Sequence, residues 1–283
     1  MNSKLFFAAL LSAFCLRADF SYEESSRITG GMLMQFVGMM GEKGNVPTVT
    51  TVAVKGNRMV YRVGRGAEIN AAQIIDIDKE TITRLNFDQR TWSILTFAQM
   101  RDTLDKVKQT NDVQAEGVAV ALKEAKETKK IGDYDAKEVV MTVIMQGKDS
   151  QTGTTGKMTI SDDVWVTEVS GSDQIRAFHK RMGQKLDWAP GGNPAMVGTP
   201  DVARAMAAMF KQGAKFEGLP VHQVLTLVGK AGPAPAAQAD TEQTIMEITT
   251  DITKHSAESV DAKWFEVPEG FKRAENPVKA AGK

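Results

Sequence analysis

The sequence is poor in the side chains that carry most protein chemistry. Among 283 residues there are one cysteine and three histidines. Cys15 lies in an N-terminal segment that we expect to be removed, so disulfides, thiolate metal ligands and cysteine nucleophiles are excluded from the mature protein. The histidines lack the HxxxH spacing of a metal site, and we interpret each as an ordinary structural residue. They are His179, His222 and His255.

Charge of one sign and long apolar runs are also missing. The chain has 35 basic and 35 acidic residues, so there is no basic excess to attract nucleic acid or an anionic membrane surface. Past the first residues, no apolar run reaches the roughly 20 residues of a membrane-spanning helix. The sequence therefore predicts a protein that neither binds nucleic acid nor inserts stably into a membrane.

Residues 1–18 are typical of a secretory signal peptide. Lys4 precedes a short apolar run from Leu5 to Phe14, and a small residue, Ala18, follows at a plausible cleavage site. We expect cleavage after about Ala18 and a periplasmic or otherwise exported protein. Lipidation of Cys15 is not expected, because the residue before it is a large phenylalanine.

Motifs for catalysis and for phosphate binding are not found in the sequence. There is no GxSxG, and Gly30-Gly31 lacks the strand, helix and Lys-Ser/Thr of a phosphate loop. Asp76 and Asp78 suit turn capping better than calcium binding, because no acidic loop ending in glutamate follows them. We expect no enzyme activity, no metal and no cofactor.

The strongest pattern present is a repeat between Ile74 and Phe97. Segments Ile77 to Thr83 and Phe87 to Ser93 each contain an apolar residue, Asp, two polar residues, Thr and a large apolar residue. An aspartate suits the first position of a turn, and the β-branched and aromatic residues that follow suit a returning strand. The repeat predicts an antiparallel meander with tight polar turns.

Alternating apolar residues predict most of the remaining strands, and 3.6-residue periodicity predicts three helices. A hairpin turn is expected at 55–58. Residues 112–130 fit strand or helix, and their alternation favours strand, whereas Asp162-Asp163 suits a turn or the start of a strand. Helices are predicted at Ala98 to Thr110, Asp173 to Leu186 and Pro200 to Lys211. Further strands are predicted at 19–28, 136–145, 157–169, 219–228 and 241–254.

Methionine is unusually frequent. Fifteen are present, with clusters in 32–40 and 196–209. Methionine is flexible and polarisable, so it suits both irregular cores and surfaces that receive varied apolar ligands. For each methionine, simple packing in the core is the alternative interpretation. Two Met-rich segments in a sheet-dominated protein nevertheless suggest movable covers over an apolar concavity.

Four segments covering most of the mature chain carry a family resemblance. They are IIDIDKETITRLNFDQRTWSIL (Ile74 to Leu95), KKIGDYDAKEVVMTV (Lys129 to Val143), VWVTEVSGSDQIRAFHKRMGQKLDWAPGG (Val164 to Gly192) and SVDAKWFEVPEGFKR (Ser259 to Arg273). In this order they resemble a bacterial family of exported proteins of unknown function, similar in fold to the outer-membrane lipoprotein carrier. The resemblance implies one α+β domain, residues 19–275, followed by a polar tail, 276–283. Its sheet would be strongly curved and antiparallel, a half-closed barrel with helices packed on the concave face.

A curved sheet of this kind predicts a binding role. Its inner face is an apolar groove unless helices fill it, and each buried methylene of an acyl chain contributes about 0.8 kcal/mol. We expect non-catalytic periplasmic binding of a lipid, a lipoprotein or another apolar ligand. The alternative is a structural or interaction module of the envelope with a self-filled core, and an exposed edge strand would permit dimerisation.

The resemblance supplies no fixed binding residue, because lipoprotein carriers recognise acyl chains through an apolar lining. A third, catalytic alternative would require a polar cleft converging on His179 or His222. The candidate lining residues are aromatic residues of the strands together with apolar residues of the two covers. They are Trp92, Phe97 and Trp165 on the sheet, with Phe36, Met206, Met209 and Phe210 from the covers.

Overall fold

The computed structural model describes residues 19–39, 46–66, 68–102, 113–149, 155–185, 217–229 and 242–275. These residues form a mostly β protein with three helices and one large sheet. The helices are α1 (Met32–Met39), α2 (residues 97–102) and α3 (Asp173–Lys185), followed by a 3₁₀ turn at Ala262–Phe265. The strands are β1 (Phe20–Gly30), β2 (Thr48–Lys55), β3 (Arg58–Arg65), β4 (Glu68–Asp76), β5 (Thr81–Asn86), β6 (Thr91–Thr96), β7 (Val113–Ile131), β8 (Tyr134–Asp149), β9 (Thr155–Thr167), β10 (Leu219–Gly229), β11 (Gln243–Ser256) and β12 (Lys272–Arg273).

The strands lie in the order β12-β6-β5-β4-β3-β2-β1-β11-β10-β9-β8-β7. Neighbours are antiparallel throughout, except that β12 runs parallel to β6. Within the described residues the sheet is open, with β12 and β7 at its edges. Because β1 pairs with both β2 and β11, the first strand lies in the middle of the sheet beside the last long strand, whereas the final short strand β12 lies at an edge.

The predicted meander is confirmed as β4, β5 and β6, joined by turns at 77–80 and 87–90. In the first turn, Asp76 Oδ1 accepts a hydrogen bond from the Lys79 amide at 2.9 Å. In the second, Asn86 Oδ1 accepts one from the Gln89 amide at 2.8 Å. The capping side chain therefore stands one residue before each repeat.

The aspartates inside the repeats instead accept hydrogen bonds from a neighbouring turn and from strand β4. Asp78 Oδ1 accepts from the Asn57 amide group at 2.8 Å, and Asp88 Oδ1 accepts from Asn70 at 3.2 Å. The sequence placed the turns correctly, and the prediction that Asp76 caps a turn is confirmed. The capping predicted for Asp78 and Asp88 is wrong, because a local pattern does not show which residue of another segment lies alongside.

Other predicted elements are confirmed where the structure describes them. The hairpin at 55–58 forms with Gly56 at a φ of 61°, the ambiguous residues 113–131 are strand β7, and α3 ends at Lys185. Helical residues 97–102 coincide with the start of the helix predicted at Ala98. The helix predicted at Pro200 to Lys211 lies outside the described residues. None of the described helices is long and apolar enough to cross a membrane.

The prediction for Asp162-Asp163 is wrong, because both residues lie in the interior of β9. Asp162 is buried, and its Oδ1 accepts a hydrogen bond from Gln223 Nε2 at 2.8 Å. Burial raises the pKa of Asp162 to about 6. A hydrogen-bond partner 61 residues away therefore stabilises a carboxyl group in the middle of a strand.

Alternation along the strands gives the sheet two distinct faces. On one, which we call the α3 face, α3 buries Ile175, Phe178 and Met182 against apolar residues of β1 to β6. A second cluster on the same face lies on β8, β9 and β10 and includes Met141 and Val143. The segment after β11 packs on the opposite face, which we call the C-terminal face. Its residues Val260 and Phe265 contact a cluster of apolar strand residues there, Ala53, Val60, Ala72, Ile74 and Leu85.

Candidate functional site

A row of polar side chains crosses the α3 face beside the apolar cluster that α3 covers. Register pairs Arg84 with Gln73 and Gln73 with Tyr61, and Val52 separates Tyr61 from Tyr22. Glu24 follows on the same face of β1, because successive side chains of a strand alternate between faces. We call Tyr22, Glu24, Tyr61, Gln73 and Arg84 the polar row.

The polar row borders an apolar wall. Each of its strands places an apolar residue of the α3-covered cluster two positions away on the same face. Tyr22 and Tyr61 themselves pack against that cluster. The face therefore changes from apolar to polar within one pleat. The apolar neighbours are Phe20, Met59, Ile75 and Ile82.

Glu24 and the two tyrosines form one end of the row. All three side chains are half-buried and keep some accessible surface. Burial raises the pKa of Glu24 to about 7. Burial also raises the pKa of Tyr22 and Tyr61, and the negative charge of Glu24 raises both further. Near neutral pH this end therefore combines two phenols with a carboxyl group that exists in both protonation states.

Gln73 and Arg84 form the other end, where donors outnumber acceptors. The Nε2 atom of Gln73 is buried and has no hydrogen-bond partner among the described residues. Burial lowers the pKa of Arg84, and among the described residues no carboxylate forms an ion pair with it. A buried donor left unpaired costs about 1–3 kcal/mol. The Gln73 amide is therefore unsatisfied among the described residues, and the half-buried Arg84 guanidinium has no carboxylate partner there.

The structure separates the aromatic residues that the sequence predicted to line a common site. Phe97 is fully buried in the cluster under α3. Trp92 lies on the opposite, C-terminal face, where the Arg273 guanidinium stands 5.3 Å from its ring centroid. Trp165 also lies on that face, with Lys129 Nζ 5.3 Å from its ring centroid. The two tryptophans and Phe97 therefore do not share one groove.

Of the candidate lining residues in the two Met-rich covers, the structure describes only Phe36. Phe36 lies on α1 and is 58% exposed, beside the exposed Leu33 and Met39. Met206, Met209 and Phe210 lie outside the described residues. A ligand-binding role for these residues stays a prediction.

Sequence reasoning missed the polar row. The usable signal was a polar residue two positions from an apolar one in several neighbouring strands, as in Tyr22 after Phe20 and Arg84 after Ile82. That pattern shows which residues share a face of a strand. It does not show that α3 packs on this face, nor that β5, β4 and β3 lie side by side with only β2 between them and β1.

The histidines do not converge on one cleft. His179 is half-buried on α3, and its loss of hydration lowers its pKa to about 4. His222 lies on the C-terminal face, where its Nδ1 is 2.6 Å from Asp251 Oδ1. The nearby Asp163 has a pKa raised by burial and then by the charge of Glu138. His179 and His222, either of which could serve the catalytic alternative, therefore lie on opposite sides of the sheet.

Comparison with known proteins adds no family to this description. No protein-family model matches the chain, and no curated protein matches it with significant similarity.

Proposed function

We propose that this protein binds an apolar or amphipathic ligand, such as a lipid or an acylated protein, without catalysis, between the sheet and its helices. The observation that carries the proposal is the polar row beside the apolar cluster on the α3 face. Ligand sites are mostly apolar and hold a few polar groups that fix the ligand's orientation. The apolar wall is fully buried under α3, so an acyl chain would lie on the open side of the row, where Val63 is half-buried and Ala71 exposed, and its polar end would meet the row.

The proposal includes an architecture and a location. The sheet would curve into a half-closed barrel with its helices on the concave side, as in the lipoprotein carriers that the sequence resembles. The half-buried state of Tyr22, Glu24 and Tyr61, combined with their loss of hydration, supports a recess at this point. Residues 1–18 would direct the chain to the periplasm and be removed after about Ala18.

A ligand-occupancy measurement tests the proposal. The protein would be isolated from a periplasmic extract, analysed by native mass spectrometry and extracted with organic solvent. Ala71 is an exposed residue of the α3 face, two positions from Gln73, so Ala71→Trp would fill the groove without entering a packed core. We expect a co-purifying lipid or acylated peptide in the wild type and about a tenfold loss of its affinity in Ala71→Trp.

Thr83→Trp is the matched control, because Thr83 lies on the C-terminal face of β5. It should keep the bound ligand. A ligand-free mass for the wild type, together with no retention of added palmitate or phospholipid, would reject the proposed function.

One observation favours the alternative, a structural or interaction module of the envelope. Phe97, Phe178 and Met182 are fully buried in the same cluster, so the protein's own side chains already fill part of the α3 face. In this alternative other residues of the protein would cover the polar row as well. The same native mass measurement would then find no ligand in any variant.

A further inference from the structure

We infer that the Gln73–Arg84 end of the polar row is a binding site for an anionic group, the carboxylate or phosphate head group of an amphipathic ligand. The inference rests on the proposed function and adds to it the charge and the orientation of the ligand. Nothing in the sequence pattern alone points to these two residues, because their neighbourhood is created by the register of β4 and β5.

The geometry brings several donors to one place. Gln73 and Arg84 are directly opposite each other on antiparallel strands, where Cβ atoms stand about 4.5–5.5 Å apart. The guanidinium carries five N–H donors in a planar fork that matches the oxygens of a carboxylate or phosphate, and the amide adds two. Tyr61, on the other side of Gln73, supplies a phenolic hydroxyl. An oxyanion between β3 and β5 would accept from all three side chains.

Arg62 and Arg84 differ in whether another side chain of the protein stabilises the guanidinium. Burial lowers the pKa of both arginines. Arg62, on the C-terminal face of β3, lies over the Trp264 ring at 4.4 Å from its centroid. Arg84 has neither a ring nor a carboxylate as partner among the described residues. Because burial removes part of the hydration of the Arg84 guanidinium, an acceptor would stabilise it, and a ligand is the group that would supply that acceptor.

The one acid of the row does not oppose an anion at this end. Glu24 is on β1, three strands from Gln73 on β4. Strands are spaced by about 4.8 Å, so roughly 14 Å of sheet separates the two positions. The row therefore has a donor-rich end on β4 and β5 and a carboxyl end on β1, which would give the ligand one preferred direction along the groove.

Binding of three probes to the delipidated full-length mature protein tests the inference. The probes are palmitate, its uncharged counterpart hexadecanol, and inorganic phosphate, measured by isothermal titration calorimetry. We expect palmitate to bind about tenfold or more tightly than hexadecanol. Arg84→Gln should remove that difference by weakening palmitate alone, whereas Arg62→Gln should leave both affinities unchanged.

A second variant separates binding from folding. Gln73→Leu replaces a buried donor that has no partner, so it should fold with unchanged or higher stability in urea denaturation while palmitate binds several-fold more weakly. Phosphate binding that depends on Arg84, without binding of either amphiphile, would support the anion site and contradict the lipid-binding function. Equal affinities for palmitate and hexadecanol, unaffected by Arg84→Gln, would reject the anion site and leave the proposed function standing. No binding of any of the three probes would reject both.

Discussion

At the scale of single residues, Glu23 and Glu24 show how alternation gives two identical side chains different chemistry. Glu23 points to the C-terminal face, where its Oε1 accepts from Thr253 Oγ1 at 2.9 Å and lies 3.3 Å from Lys254 Nζ. Glu24 points to the α3 face, where burial raises its pKa to about 7. One step along the backbone therefore separates a surface ion pair from a carboxyl group that titrates near neutral pH.

The raised pKa of Glu24 predicts a dependence of stability on pH. Because the folded protein holds this proton more tightly than the unfolded chain, its contribution to stability falls as the pH rises from about 4.5 to about 7 and stays low above that. We expect Glu24→Gln to raise the free energy of unfolding by about 1–3 kcal/mol relative to wild type at pH 8, with little gain at pH 4. Urea denaturation at the two pH values measures the difference.

Glu23→Gln is the control for this prediction. It removes a surface ion pair, so it should lower stability by less than about 1 kcal/mol. An equal effect of Glu24→Gln at pH 4 and pH 8 would show that the Glu24 carboxyl is not desolvated.

At the scale of elements, the two turns of the meander repeat a single construction. In each turn a polar side chain accepts an amide hydrogen three residues on, and the fourth residue of the turn, Glu80 or Arg90, has a φ of 51°. The apolar residue of each repeat donates its amide hydrogen to the backbone of another segment: Ile77 to Asn57 in the turn before β3, and Phe87 to Asn70 in β4. The repeat in sequence is thus a repeat in turn geometry, with the capping residue just outside it.

This construction predicts unequal effects of two aspartates. Asp76→Ala removes the acceptor of the Lys79 amide in a buried position, so we expect a loss of about 1–3 kcal/mol in the free energy of unfolding. Asp78→Ala removes an exposed bond to Asn57 and should cost less than about 1 kcal/mol. Thermal or urea denaturation of the two variants checks the order, and a larger loss for Asp78→Ala would contradict the turn geometry described above.

At the scale of the whole molecule, β1 and β11 join two halves of one sheet. The meander half carries the cluster under α3, and the half made of β7 to β10 carries the second cluster of the same face. The ladder between β1 and β11 pairs Ser21 with Ser256 and continues to Gly30. This ladder, which has irregularities at Glu23/Glu24 and Ile28/Gly30, joins the two halves, so we expect them to unfold as a single cooperative unit. The single domain predicted for residues 19–275 stays a prediction.

Two matched methionine substitutions test that cooperativity. Met182 belongs to the cluster under α3 and Met141 to the second cluster, and both are buried. We expect Met182→Ala and Met141→Ala each to cost about 2–5 kcal/mol and each to lower the temperature of one common unfolding transition. Differential scanning calorimetry that resolves two transitions, with each variant shifting only one of them, would divide the chain into two domains.

Sequence by itself determined the strands, the hairpin at 55–58, the meander and the position of α3. Those features depend on periods of two and 3.6 residues and on turn and cap residues, all of which act over a few positions along the chain. The tertiary structure decided which of these residues meet. Phe97 and Trp165, from different halves of the sheet, end on opposite faces, and Gln73 and Arg84 become neighbours only through strand register. The buried carboxyl group of Asp162 is stabilised inside β9 because Gln223 of β10 donates a hydrogen bond to it. Such pairings are set by the packing of distant segments, so the polar row exists only in the folded sheet.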